Sequence, residues 1–346
     1  MIRVHFPRSK QGVQEIELVP AVRGGLAAYR EDPWSVRYRS FFEQAQSEFV
    51  AVDVDDAQVV FYPHMYEAGE HADEAMRLAQ SRGLPLVFIK TGDAVAPIHV
   101  PYGVVYRNSI FASTRAPCED AMPAPCEDML AARAGRLELR IKRAKPAIGF
   151  CGYVGYGAMH TLYRLLGRTQ KAVGLELRER VLRRLEADEQ LDCRFVRNNR
   201  YLGLRTGALH PDRAIADRVR NTFAGNLLDS DYTVCVRGAG NFSYRFYEAL
   251  SAGRIPIYVN TDGVLPCESE IDWKKHCVWV EEDAVSGIAE RVAEFHRGLD
   301  DEAFVALQHA NRKLWEDYLT PLAFYRWALA KAATRTELKL PNELGI

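Results

Sequence analysis

Short apolar runs bounded by proline or glycine alternate with amphipathic stretches along this 346-residue chain, and that alternation constrains its fold more than any other feature. Strand, helix and strand repeated in order close as a parallel sheet covered by helices, the α/β class. Residues 59–62 read as a strand ended by Pro63, 72–79 as a helix, and 84–89 as a second strand delivering Lys90-Thr91-Gly92-Asp93 at its carboxyl end. Val104 and Val105 belong to a third. The basic stretch RLELRIKRAKP at 136–146 ends in a proline and marks a domain boundary. A new strand at 147–150 then enters GFCGYVGYG at 149–157, either a flexible turn or a loop whose backbone must come close to something. Helical periodicity at 175–185 and 214–228, a short strand at 193–196, and helical stretches at 285–298 and 301–335 complete the second half.

The length exceeds one ordinary core and suits two domains of roughly 150 residues each. With 48% apolar and 26% charged residues, both cores can fill without disulfides or metals. A net charge of −1 argues against a partner held mainly by phosphate neutralisation, so no nucleic acid is expected. The N-terminus has no apolar h-region and no stretch approaches the ~18 apolar residues of a membrane span, which leads to a cytoplasmic expectation with no integral membrane segment and at most peripheral membrane association. Seven cysteines, an odd number without a C-x-x-C pair, fit reduced buried thiols. APCED occurs at 116–120 and again at 124–128; its prolines and the lack of a nearby histidine favour a duplicated surface loop over a metal site.

The segment VCVRGAGNFSYRFYEALSAGRIPIYVN, 234–260, carries the clearest chemistry. It reads as a buried strand, a glycine turn, a helix of about nine residues starting near Ser243, and a second buried strand. The helix N-terminus offers N–H groups and the positive end of its dipole to an anion, and Gly238 and Gly240 let the backbone approach it. Phe246, Ala249 and Leu250 form the core face of that helix, while Arg245 and Glu248 lie beside each other away from it. Arg237 sits at the carboxyl tip of the strand, where open α/β sheets bind ligands. The dinucleotide fingerprint is close, with Asp262 about twenty residues on, but Ser243 replaces its third glycine and few βα units remain after it.

These residues resemble the exostosin-like glycosyltransferases, family 47, of the GT-B fold. The resemblance runs through Arg237-Gly238, Ser243-Tyr244-Arg245, Glu248-Ala249-Leu250, Ala252-Gly253, Ile255-Pro256, Leu265-Pro266 and Ile271-Asp272-Trp273. Beyond this window it thins to DVDDAQVVFYPHMYE early in the chain, and Arg254 stands where the family commonly has Cys. The resemblance implies two Rossmann-like domains facing each other across a cleft: an acceptor-side domain at 1–140, a nucleotide-sugar-binding domain at 146–320, and a C-terminal helix and tail at 321–346.

It also implies an inverting transferase that moves a sugar from a nucleotide-sugar donor, most often UDP-linked, to a glycan or glycolipid acceptor. No cofactor is expected, the nucleotide-sugar being the donor substrate. Glu248 would accept hydrogen bonds from the ribose, Arg245 and the Ser243 turn would hold the diphosphate with help from Arg237, and Asp262 would touch the donor sugar. Inversion needs a base for the acceptor hydroxyl. His64 and Asp93, at the carboxyl ends of N-terminal strands, are the candidates, with Glu67 a third. Asp53-x-Asp55 has the form of a metal-binding pair but reads as a solvated loop, so donor binding is expected to need no metal. Two other classes stay open: an NAD-dependent oxidoreductase, and an inactive GT-B protein that binds a glycan or a partner.

Overall fold

The structure, a computed structural model, describes residues 1–30, 35–131, 135–154, 158–198 and 213–334. The chain separates into two compact units, one comprising Met1–Pro125, Val264–Cys267 and the chain from Asp317, the other Cys126–Gly263 and Glu268–Glu316.

The first unit begins with β1 (Ile2–His5), α1 (Leu18–Gly24), α2 (Arg39–Glu48) and β2 (Phe49–Ala51), and continues through β3 (Val59–Met65), α3 (Glu70–Ser81), β4 (Leu86–Lys90), β5 (Val104–Arg107) and β6 (Glu119–Ala121). Among the described residues these strands form one parallel sheet in the order β2-β1-β3-β4-β5-β6. Helices cover both faces, so β3 and β4 are apolar on both sides rather than alternating. On α3, Ala72, Ala75, Met76 and Ala79 make the buried stripe at helical spacing. β1 and β2 precede the first strand expected from the sequence. They are short: in β1 only Val4 is fully buried, between Arg3 and His5, and β2 is a run of three residues directly after α2.

Pro63 does not end its strand. β3 runs on to Met65, and its register against β4 shifts between Phe61 and Met65. In such an irregularity the missing proline N–H costs no ladder bond, and the Pro63 carbonyl accepts the N–H of Ile16 at 2.8 Å. The first APCED is likewise no surface loop. It contains the buried edge strand β6, where Glu119 pairs with buried Arg107 and accepts the N–H groups of Ile98 and Ala116. The second copy does different work in the other unit: Asp128 accepts from the N–H of Leu130 and takes a two-pronged bond from Arg312 at 2.7 and 2.8 Å.

The second unit contains β7 (Ala147–Tyr153), α4 (Ala158–Leu165), α5 (Thr169–Glu186), β8 (Asp192–Asn198), α6 (Arg213–Leu228), β9 (Tyr232–Cys235), α7 (Tyr244–Ser251), β10 (Ile255–Asn260), β11 (Val278–Glu281), α8 (Ile288–Arg297) and α9 (Asp301–Leu314). Its strands are also parallel, ordered β11-β10-β9-β7-β8. Ile148, Phe150, Val234, Ile257 and Val278 from the sheet meet Leu177, Val181 and Val292 from the helices in one core. Each such side chain contributes roughly 1.5–3 kcal/mol of burial.

The basic stretch 136–146 is tied into this unit. Buried Asp231 accepts from Arg140 at 2.9 Å, Arg143 at 3.2 Å and the Ala147 N–H at 2.8 Å. Arg254, only 1% exposed, donates to the carbonyls of Leu228, Ala252 and Glu138, and burial pulls its pKa down to about 10. Its guanidinium thus pins a segment that a cysteine at this position could not reach.

The helical stretch expected at 301–335 is interrupted. α9 passes into a π-turn at Trp315–Leu319, after which Pro321 opens α10 (Pro321–Thr334); residue 335 and the tail lie outside the described residues. α10 belongs to the first unit, where Phe324, Tyr325, Ala328 and Leu329 enter the core and Tyr325 stacks on Phe41 at 5.5 Å between ring centres. Two parallel, Rossmann-like α/β units in one chain are the GT-B composition expected from the sequence.

Candidate active site

Numbered from its own first strand, the second sheet has the order 2-1-3-4-5, so the direction of winding reverses between β7 and β9. At such a switch point the connections leave to opposite faces and open a crevice beyond the carboxyl ends of the two strands. β7 delivers Cys151, Gly152 and Tyr153 there, and β9 delivers Arg237 and the Gly238 turn.

Arg245, in the first turn of α7, reaches back to the crevice. Its Nε donates to the Cys151 carbonyl at 3.0 Å and its guanidinium lies over the Phe150 ring at 4.4 Å. Gly152 is required for this: a Cβ there would collide with the Arg245 guanidinium. Arg245 is therefore half-buried and turned toward β7. Burial pushes the Cys151 thiol up, with Arg245 opposing and Glu248 adding to the shift, so both charges are felt at the end of β7. Arg237 is 5% exposed and donates to the Gln170 side chain at the start of α5 at 2.5 Å; burial lowers its pKa.

The turn itself is fixed from three sides. The Gly238 N–H donates to the Phe242 carbonyl at 3.4 Å. Gly174 of α5 lies so close to the Gly238 carbonyl that a side chain there would strike backbone. Asn241 donates to the carbonyls of Thr261 and Asp262 at 3.1 and 3.3 Å and accepts from the Thr261 hydroxyl at 2.6 Å, joining the turn to the end of β10. That brings Asp262 beside the turn, in a left-handed conformation with φ of 59° that an aspartate tolerates better than most residues. Gly238 itself has space: a Cβ would meet only Arg178, at 3.8 Å. Ser243 is the N-cap of α7, extended, and its side chain makes no capping hydrogen bond.

One residue of this crevice escaped the sequence. Arg178, buried on α5, donates to the carbonyls of Tyr153 at 2.5 Å, Val236 at 3.2 Å and Arg237 at 2.9 Å, bridging both strands of the switch point. On a helix read only for its periodicity, an arginine on the buried face was the available signal.

The structure brings Arg237, Gly238, Gly240, Ser243, Arg245, Glu248 and Asp262 together around one turn of the second unit. His64, Glu67 and Asp93 lie in the first. His64 is 2% exposed; its Nε2 accepts the Lys10 N–H at 2.8 Å, so the proton is on Nδ1, which donates to the Gln14 carbonyl at 2.9 Å. Its neighbour His71, missed in the sequence, donates to the Arg8 carbonyl at 2.7 Å and faces the Tyr62 hydroxyl at 3.1 Å. The two imidazoles thus anchor the 8–14 loop to β3 and α3. Glu67 follows β3 and Asp93 follows β4, both exposed. Asp55 pairs with Arg82 on the surface, and among the described residues no three His, Cys, Asp or Glu side chains gather as metal ligands do. None of the seven cysteines forms a disulfide. Among the described residues no helix is long and apolar enough to cross a membrane.

No family model matches the chain. Among curated proteins, exostosin-1 of Drosophila melanogaster is 37% identical over 92 residues, which is 27% of this chain and 12% of that protein. Exostosin-1a of Danio rerio is 28% identical over 109 residues, 32% of this chain and 14% of that one. The chain therefore matches only a small part of these relatives' length. Among solved structures, a glycosyltransferase from Rickettsia africae ESF-5 aligns over 96% of this chain and 99% of its own at 11% identity and a TM-score of 0.41. The spinosyn forosaminyltransferase SpnP aligns over the same shares at 14% and 0.33. Neither likeness is close enough to carry anything across. In sequence, over the 27% of its length that the fly protein matches, this chain is exostosin-like.

Proposed function

We propose that the protein is an inverting glycosyltransferase whose donor is a nucleoside diphosphate-sugar, UDP-linked first among the alternatives, and whose acceptor is a hydroxyl of a glycan or glycolipid. The observation that carries this reading is the gathering of Arg245, Arg237 and Arg178 with the Gly238 turn at the switch point between β7 and β9. In the transfer, the acceptor oxygen attacks the anomeric carbon and the bond to the distal phosphate breaks. A base takes the acceptor proton, and the nucleoside diphosphate leaves with the added charge. That charge must be met by cations and oriented N–H groups already in place. Arg245 and the first turn of α7 supply them, and the Ser243 hydroxyl leaves the helix end uncapped by its own side chain. Glu248, one turn on, would accept from the ribose hydroxyls.

The oxidoreductase reading fits the sheet less well. In dinucleotide-binding domains of order 3-2-1-4-5-6 the glycine turn follows the first strand. Here it follows β9, third in its own sheet, whose order is 2-1-3-4-5.

The test is a melting curve of the purified protein with UDP or NAD, followed by mass-spectrometric detection of sugar release from a panel of nucleotide sugars. Stabilisation by UDP and slow donor hydrolysis are expected. Stabilisation by NAD alone would restore the oxidoreductase, and UDP binding without hydrolysis or transfer would indicate an inactive binding protein.

A further inference from the structure

Beyond the arginines of the crevice, the end of β7 carries a separate cluster. Tyr153 closes β7, Tyr163 lies on α4, and their hydroxyls meet at 3.2 Å. Lys171, in the first turn of α5, places its ammonium 4.4 Å from the centre of the Tyr163 ring and 5.8 Å from that of Tyr153. Among the described residues no carboxylate pairs with Lys171. The ammonium is held by the ring and by the Tyr163 hydroxyl, contacts that leave its charge uncompensated.

Its position is set by the nucleotide turn. The adjacent Gln170 is bonded to Arg237, Gly174 packs on the Gly238 carbonyl one turn later, and Arg178 holds the Tyr153 carbonyl. Lys171 thus stands on the α5 side of the same crevice that Arg245 enters from α7. The phenols are polarised to match. Burial alone would raise Tyr163, but hydrogen bonds from Tyr153 and Lys171 bring its pKa below the ordinary value, while burial and Tyr163 push Tyr153 up to about 12. A phenol that accepts from two neighbours donates its own proton more strongly to an anion.

We infer that Lys171 and Tyr163 form an anion subsite for the distal phosphate of a nucleoside diphosphate, opposite the Arg245 side of the crevice. This rests on the nucleotide reading above and goes beyond it by assigning the phosphate nearest the bond that breaks to α4 and α5. Lys171 and the Tyr163 hydroxyl would then donate to the leaving group as its charge grows.

Calorimetric titration with UDP, UMP and inorganic pyrophosphate tests it. Lys171→Met should weaken UDP and pyrophosphate at least about tenfold and leave UMP within about twofold, and Lys171→Arg should restore much of the loss. Tyr163→Phe, which keeps the ring, should show a smaller loss with the same selectivity. Unchanged UDP affinity in a folded Lys171→Met protein would overturn the subsite and leave the donor reading standing. Equal losses of UDP and UMP would overturn it as well, by showing only a structural role. If the wild-type protein binds neither UDP nor pyrophosphate, the nucleotide reading itself fails and the subsite with it.

Discussion

Glu248 carries the most discriminating single test. If it accepts from the ribose, Glu248→Ala removes roughly 1.5–3 kcal/mol, about ten- to a hundred-and-fifty-fold in UDP affinity, with little change in melting temperature. A helix-surface charge without a ligand would show under about 1 kcal/mol of stability and no change in affinity. Calorimetry and a melting curve on the same variant separate the two. The base is decided in the same way. Asp93→Ala or Glu67→Ala should lower turnover by roughly 10²- to 10⁴-fold with UDP affinity kept. His64→Ala should act mainly on stability, by about 1–3 kcal/mol, because it strands the Lys10 N–H and the Gln14 carbonyl. A large loss of turnover in a fully stable His64→Ala protein would instead give that role to His64. At this scale residue type and spacing put Arg237, Arg245 and Glu248 near one turn, and the roles proposed for them rest on the resemblance. The sequence was least legible for Arg178 and Arg254, whose partners are backbone carbonyls that no spacing rule reveals.

Helices and strands were legible in proportion to their apolar length. β3, β4 and α7 stood out, whereas β1 and β2 were too short, and Pro63 looked like a stop because its strand irregularity depends on the partner strand. The break between α9 and α10 has a local cue in Pro321, but the π-turn before it has none. One element-level prediction concerns α8. Its His296 is buried, its Nε2 donating to the Arg143 carbonyl at 2.6 Å and its Nδ1 facing the Tyr232 hydroxyl at 2.9 Å. Burial lowers its pKa, with Lys142 and Arg143 acting the same way and the Arg143 carbonyl and Asp231 opposing. The folded state therefore prefers the neutral ring. The stabilisation is present above the unfolded value near 6.5 and is lost as pH falls through the lower folded value. Melting temperature should fall between pH 7.5 and 5.5 more steeply in the wild type than in His296→Gln. Parallel slopes would place the acid sensitivity elsewhere.

At the scale of the whole molecule, α/β alternation announced two parallel sheets, but nothing local tells that the first unit draws on three stretches of chain. Donor binding should be independent of divalent metal, since guanidinium groups and a helix end already supply positive charge at the turn. UDP affinity with and without EDTA should agree within about twofold, and a large loss on chelation would transfer the role to carboxylates such as Asp53 and Asp55. The return of α10 to the first core has a consequence for synthesis. A ribosome releases the second unit complete while the first still lacks Phe324, Tyr325 and Leu329, so the earlier-made half must wait for the later-made one. A chain stopped after Glu316 should fold its second unit and expose the apolar face of its first, binding a hydrophobic dye that the full chain does not. During translation that face stays open to water until α10 emerges to cover it.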